Sequence, residues 1–136
     1  MSTYLIIDGY NIINKWPELI KAKNQTIEFA REKLNTIIQK YADFKNTKTT
    51  IVYDGAGRER EKIEGTPQII YSKGTETADA VIEYIVKNYE TPGDIIVATD
   101  DNVQRNFIVT AGAWYMSAQD LENEVKAALV EMRKLL

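Results

Sequence analysis

The sequence predicts an α/β protein with a mainly parallel sheet of about five strands, flanked by helices on both faces. Three observations predict it. Short apolar runs alternate with helical patterns throughout the 136 residues. Three of those runs are nearly continuous in Ile, Val, Leu or Tyr, as parallel strands covered on both faces require. The element order is βα-β-βα-βα-βα, so nearly every strand leads into a helix that can cross back over the sheet.

Tyr4–Ile7 is the first strand, apolar at every position. Ile27, Ala30, Leu34, Ile37, Ile38 and Tyr41 keep a three-to-four spacing, which predicts one long helix over about residues 25 to 44. Thr50–Tyr53 is the second strand, and residues 55 to 66 are expected to form the longest irregular loop, either functional or a surface excursion. Gln68–Tyr71 follows as a third strand. Ala78, Val81, Ile82, Ile85, Val86 and Tyr89 mark a second helix. Pro92-Gly93 is a turn, Asp94–Ala98 a fourth strand, and a shorter helix is expected over about residues 102 to 111. Trp114–Met116 is the last strand. Ser117-x-x-Asp120 resembles a capping box before a C-terminal helix that carries Leu121, Val125, Ala128, Leu129 and Met132. A single domain over residues 1–136 is expected.

Composition excludes several chemistries. With no cysteine there is no disulfide, thiolate zinc site or cysteine nucleophile. With no histidine there is no Ser-His-Asp hydrolysis, no imidazole acid–base pair and no ordinary zinc centre. Catalysis is left to carboxylates, hydroxyls, amines or a hard metal ion. No run approaches the roughly 20 apolar residues of a membrane span. No signal-peptide pattern opens the chain, so the default expectation is the cytoplasm. The net charge of −3 does not advertise a nucleic-acid binder, but "GREREKIEG" (57 to 65) is locally basic.

The carboxylates are more informative. In open parallel sheets, ligands bind beyond the carboxyl ends of the strands. Asp8 follows the first strand, Asp54 the second, and Asp100 and Asp101 the fourth. Glu76 and Asp79 come at the start of the helix after the third. Each has an ordinary structural explanation as a cap or as a complement to a helix dipole, worth about 0.3–1 kcal/mol. Collectively they do not. Two unit charges about 4 Å apart repel by roughly 4 kcal/mol at an effective dielectric near 20. Several carboxylates on one rim therefore need protons or a cation. Oxygen-only ligands select Mg²⁺ or Mn²⁺, which suits phosphodiester chemistry. No phosphate-cradling loop, dinucleotide fingerprint or nucleophile elbow competes.

"DGYNII" at the end of the first strand, "TADAVIEYI" opening a helix and "VATDDNVQRNFIVTAGAWYMSAQDL" near the C-terminus resemble the YacP-like NYN domains, which are PIN-like nucleases. The resemblance spans nearly the whole chain. It implies a three-layer Rossmann-like PIN fold and a metal-dependent ribonuclease. One member type is a ribosome-associated endoribonuclease that cleaves messenger RNA, so RNA and the ribosome are the implied partners. Asp8 and Asn11 match the first motif, Asp79 the second, Asp101 the acidic end of the third, and Asp54 an acid after the second strand. Where the family usually has Thr-Ser-Asp, this chain has Thr99-Asp100-Asp101. Either carboxylate is a candidate for the metal.

The resulting assignment is Asp8, Asp79 and Asp101 as the metal-binding core, with Asp100, Asp54 and Glu76 as further candidate ligands. Asn11 either holds the loop or accepts from an attacking water. Glu83 lies one turn beyond Asp79 and is expected on a solvated stripe that includes Lys87. Arg58, Arg60 and Lys62 are candidate phosphate contacts, with Lys15, Lys73 and Arg105 as rim additions. Tyr10 and Trp16 are candidate base-stacking rings, with a place in the core as the alternative. Other functional classes are a non-catalytic RNA- or ribosome-binding module, a haloacid-dehalogenase-like phosphatase and a receiver domain. The phosphatase wants a second Asp where Tyr10 stands, and the receiver wants a lysine where Ser117 stands.

Overall fold

The computed structural model describes residues 3–55 and 61–136. Its strands are β1 (Tyr4–Asp8), β2 (Lys48–Tyr53), β3 (Glu61–Ile63), β4 (Gln68–Tyr71), β5 (Ile95–Ala98) and β6 (Trp114–Met116). The helices are α1 (Gly9–Ile13), α2 (Pro17–Lys23), α3 (Ile27–Lys45), α4 (Ala78–Asn88), α5 (Asn102–Thr110) and α6 (Ala118–Lys134). One six-stranded sheet runs in the order β3-β4-β2-β1-β5-β6. All neighbours are parallel except β3, which is antiparallel to β4. This is the α/β architecture expected, with one strand more.

The period-2 alternation of side chains divides the core in two. Leu5, Ile7, Ile51 and Tyr53 pack on the side holding Ile12, Leu19, Leu34, Ile38 and Leu121, residues of α1, α2, α3 and α6. Tyr4, Ile6 and Val52 face the side holding Val81, Ile82, Val86 and Ile108 of α4 and α5. Ile6 and Ile7 are both fully buried, so β1 is the centre of a three-layer stack. Asp8 continues the parity of Tyr4 and Ile6, towards α4 and α5.

Local chemistry accounts for the helix starts. Thr26 Oγ1 accepts from the Phe29 N–H, Thr77 Oγ1 from Ala80, and Ser117 Oγ from Asp120. The last of these is the cap read from Ser117-x-x-Asp120. Pro17 opens α2 at a position where a missing N–H costs nothing.

Three features depart from expectation. The supposed irregular loop holds β3, whose three residues are exposed and carry no apolar pattern; only backbone pairing with β4 makes it a strand. The chain after β1 turns at once into α1 and α2, too short for a helical period to show. Trp16 is 2% exposed and its indole N–H donates to the Ala118 carbonyl at 2.8 Å, so it belongs to the core and offers no ring to a base. Among the described residues no helix is long and apolar enough to cross a membrane.

Gly9 is required by a close approach. A Cβ there would fall against Cε1 and Cδ1 of Tyr53. That ring cannot yield. It is fully buried, its hydroxyl donates to Asn35 Oδ1 at 2.7 Å, and it lies between Tyr10 and Tyr71 at centroid distances of 5.1 and 5.5 Å. Gly9→Ala would gain up to roughly 1 kcal/mol of backbone preference but overpack the core at a cost of about 1–3 kcal/mol. The expected net result is a lower melting temperature by circular dichroism; an unchanged or raised one would refute the close approach.

Candidate metal centre

The strand order reverses between β1 and β5: the chain proceeds outward from β1 to β2 and β4, then returns to the other flank of β1. Parallel sheets leave a crevice at such a point. Ile7 pairs with Ala98, so Asp8 and Thr99 leave the sheet side by side. The Thr99 hydroxyl donates to Asp8 Oδ2 at 3.1 Å and accepts from the Asp101 N–H at 3.1 Å. One buried hydroxyl thereby fixes two acids.

The other acids arrive on helix starts. Asp101 caps α5, its Oδ1 accepting from the Gln104 N–H at 3.0 Å. Asp54 accepts at 2.7 Å from the N–H of Ala78, the first residue of α4. Asp79, one residue further on, accepts from Gln104 Nε2 at 3.1 Å. Capping and clustering coexist in the same residues: a carboxylate has two oxygens, and a cap occupies one.

Electrostatics show which acids face one another. Asp8 is 7% exposed, and its pKa is pushed up to about 7, first by burial and then by the charge of Asp79, with Asp54 and Asp101 adding to it. The Thr99 hydrogen bond opposes the rise without cancelling it. Asp79 is also raised, by burial first and then by Asp101, Asp54 and Glu83. Asp8, Asp54, Asp79 and Asp101 thus share one field. Glu83 joins it from a half-buried position, in place of the solvated stripe expected for it.

The rest of the sequence-derived set is arranged differently. Asp100 Oδ1 accepts from Arg105 Nη2 at 3.1 Å and from the Ala118 N–H at 3.0 Å, which directs it to the start of α6. Of the adjacent pair, Asp101 is the one whose charge acts on Asp8 and Asp79. Glu76 closes a local turn, accepting from the Lys73 N–H at 3.3 Å. Asn11 Oδ1 accepts from the Asp100 N–H at 2.9 Å, so Asn11 holds the loop after β5. Tyr10 is a half-buried end member of the stack centred on Tyr53, and its hydroxyl accepts from Arg31 at 2.8 Å.

Among the proposed phosphate contacts, Arg105 reaches the rim. It is already committed, donating to the Thr99 carbonyl and to Asp100 and lying 4.6 Å from the Tyr115 ring centroid. Lys62 is exposed on β3 and pairs with Glu64 at 3.6 Å. Lys15 and Lys73 are exposed after α1 and before α4. Arg58 and Arg60 lie outside the described residues.

Gln104 was not singled out in the sequence. It is 1% exposed and bridges two acids, its amide to Asp79 and its backbone to Asp101. Among the described residues its Oε1 is the one buried side-chain nitrogen or oxygen without a hydrogen-bond partner. The spacing Asp101-x-x-Gln104 is that of a capping box, which was the available signal.

The donor set fits a hard divalent ion in kind, being all oxygen. In spacing it is open: among the described residues no three acidic side chains stand close enough together to hold an ion as they are. Each is tied to a different donor, and like charges do not close on one another without a cation between them.

Comparison with known proteins agrees with this topology. The family model of the YacP-like NYN domain matches residues 5–136. The chain is 33% identical over 128 residues to the YacP protein of Bacillus subtilis (strain 168), a match covering 90% of this chain and 74% of that one. The crystal structure of Rae1 (YacP) from Bacillus subtilis aligns with a TM-score of 0.83 at 30% identity, over 98% of this chain and 79% of that one. A tryptophan-to-leucine mutant of the same protein aligns with a TM-score of 0.84 at 29% identity, over 96% and 79%.

Two outcomes follow from the geometry. A carboxyl whose folded pKa is raised favours the folded state most below its unfolded pKa of 3.8, and that contribution is lost as pH rises through about 7. In chelator, wild-type stability should therefore fall between about pH 4 and pH 7. Asp8→Asn should flatten that slope, as read by thermal melts across the range. Secondly, Asp100→Ala should cost about 1–3 kcal/mol by stranding the Arg105 and Ala118 donors, with Mn²⁺ affinity little changed. Asp101→Asn should do the reverse, weakening Mn²⁺ binding in titration calorimetry.

Proposed function

This chain belongs to the YacP-like NYN domain family, and from that premise we propose that it is a metal-dependent endoribonuclease hydrolysing single-stranded RNA. The observation that carries the proposal is Asp8. It is a carboxylate buried at the reversal of a parallel sheet, with three other acids raising its proton affinity. Such an arrangement is unfavourable on its own and becomes favourable with Mg²⁺ or Mn²⁺ among the acids.

Asp8, Asp79 and Asp101 are the residues proposed to hold the ion, with Asp54 alongside. A divalent ion bound there would supply charge neutralisation at the phosphoryl oxygens and an activated water. The protein's own residues do the rest. Thr99 orients Asp8, Gln104 sets the separation of Asp79 and Asp101, and Asn11 keeps the loop after β5 in place. With histidine absent from the chain, no imidazole is available for proton transfer, which falls to water and carboxylates. Messenger RNA as substrate, the ribosome as partner and the cytoplasm as location are carried over from the family resemblance.

The openness of the acid cluster favours a second reading, a non-catalytic RNA- or ribosome-binding module on the same fold. One assay separates the two. Purified protein should cut single-stranded RNA internally with Mg²⁺ or Mn²⁺ and stop with chelator, with and without ribosomes compared. Asp8→Asn should lose about a hundredfold or more in rate, since several kcal/mol of charge stabilisation are removed. RNA binding with no cleavage under any metal, or full activity in Asp8→Asn, would overturn the nuclease assignment.

A further inference from the structure

A groove between α5 and β6 has no part in the site so far described. Asn102, Arg105, Asn106, Val109 and Thr110 form one face of α5, and the Tyr115 ring forms the opposite wall. Together they line about 540 Å³, within the roughly 300–1,000 Å³ of small-molecule sites. Arg105 cannot swing inward to close it, because its Nε and Nη2 donate to the Thr99 carbonyl and Asp100, each at 3.1 Å. Held there, the Arg105 guanidinium lies over part of the Tyr115 ring, 4.6 Å from its centroid, and the ring stays 45% exposed.

The chemistry of the lining selects its guest. Arg105 is the one cation there, and its charge is balanced by Asp100 at 3.1 Å, so the groove is a poor phosphate site. Two carboxamides side by side present donors and acceptors together, the pattern that matches the edge of a base. The Tyr115 ring and the Arg105 guanidinium over it form a planar pair beside them, and the exposed part of that pair is a stacking surface that accepts any base. Position completes the argument. Asp101 caps α5, so the groove begins within one helical turn of the acids, and the nine residues of α5 extend about 13 Å from there.

We infer that this groove holds a nucleobase of single-stranded RNA, stacked on Tyr115 with its edge on Asn102 and Asn106, while the adjoining phosphodiester lies at the acidic rim. The inference deepens the nuclease reading and rests on it for the phosphodiester's position. A base docked there would orient the strand across the acids by a contact that carries no net charge.

The test measures RNA binding with Mg²⁺ present, using a short single-stranded oligoribonucleotide with a hydrolysis-resistant phosphorothioate backbone and one 2-aminopurine. Wild type should quench the 2-aminopurine on binding. Tyr115→Ala should weaken binding about five- to hundredfold, the loss of one stacked base, with melting temperature and far-UV spectrum retained. Tyr115→Phe should bind within about twofold of wild type, because stacking survives. The salt dependence of affinity should be the same in all three, since no phosphate contact is altered. Wild-type affinity and quenching in Tyr115→Ala would overturn the assignment, as would a wild type that binds no RNA. The nuclease reading fails separately: RNA held on Tyr115 yet never cut, with an ordinary backbone and either metal, sinks the reading and leaves the groove. Cleavage with unchanged affinity in Tyr115→Ala sinks the groove alone.

Discussion

The structure depends on a carboxylate kept where solvation is poorest. Asp8 ends the central strand of the sheet, with Ile6 and Ile7 fully buried before it and α4 and α5 packed over its face. Burial alone disfavours its charge, and Asp79, Asp54 and Asp101 disfavour it further. Nothing in the packing of an α/β sandwich requires an acid at that position. The sheet would be at least as stable with an apolar residue there, and relief of that repulsion is the role proposed for a divalent cation.

Around that constraint the polar network is economical. Thr99 uses its single proton on Asp8 and its lone pair on the Asp101 N–H. Gln104 spends its backbone on Asp101 and its amide on Asp79, which couples α5 to α4 across the crevice. Asp101 caps α5 and Asp54 accepts from the first N–H of α4, so both acids are tied to rigid helix termini. Asp100 shows the opposite use of the same residue type. Paired with Arg105 and with the start of α6, it braces the turn that presents its neighbour.

The same bracing shapes the surroundings of the crevice. On one side Gly9 lets the Tyr53 ring reach the backbone of α1, and the tyrosine stack with Arg31 closes that flank. On the other, Arg105 pairs with Asp100 and lies over part of the Tyr115 ring, which stays half-exposed beside α5.

By itself the sequence determined what short-range rules can carry. Apolar continuity placed the strands at Tyr4, Thr50, Gln68, Asp94 and Trp114, and three-to-four spacing placed the long helices, because burial on both faces or on one stripe leaves a periodic trace. It also delivered the acids to the strand ends, and the absence of histidine and cysteine confined the chemistry to oxygen ligands. It did not reveal β3, α1 or α2, which are too short or too polar for any period to register. Nor did it separate Asp100 from Asp101. Adjacent residues of one type are identical to every local rule, and only partners distant in the chain, Arg105 and Ala118 for one and the field of Asp8 and Asp79 for the other, divide them. Gln104 acquired its role in the same way. Tertiary structure decided which oxygens face one another, because electrostatic coupling depends on distance through space, and folding brings together residues 8, 54, 79 and 101 from four separate connections.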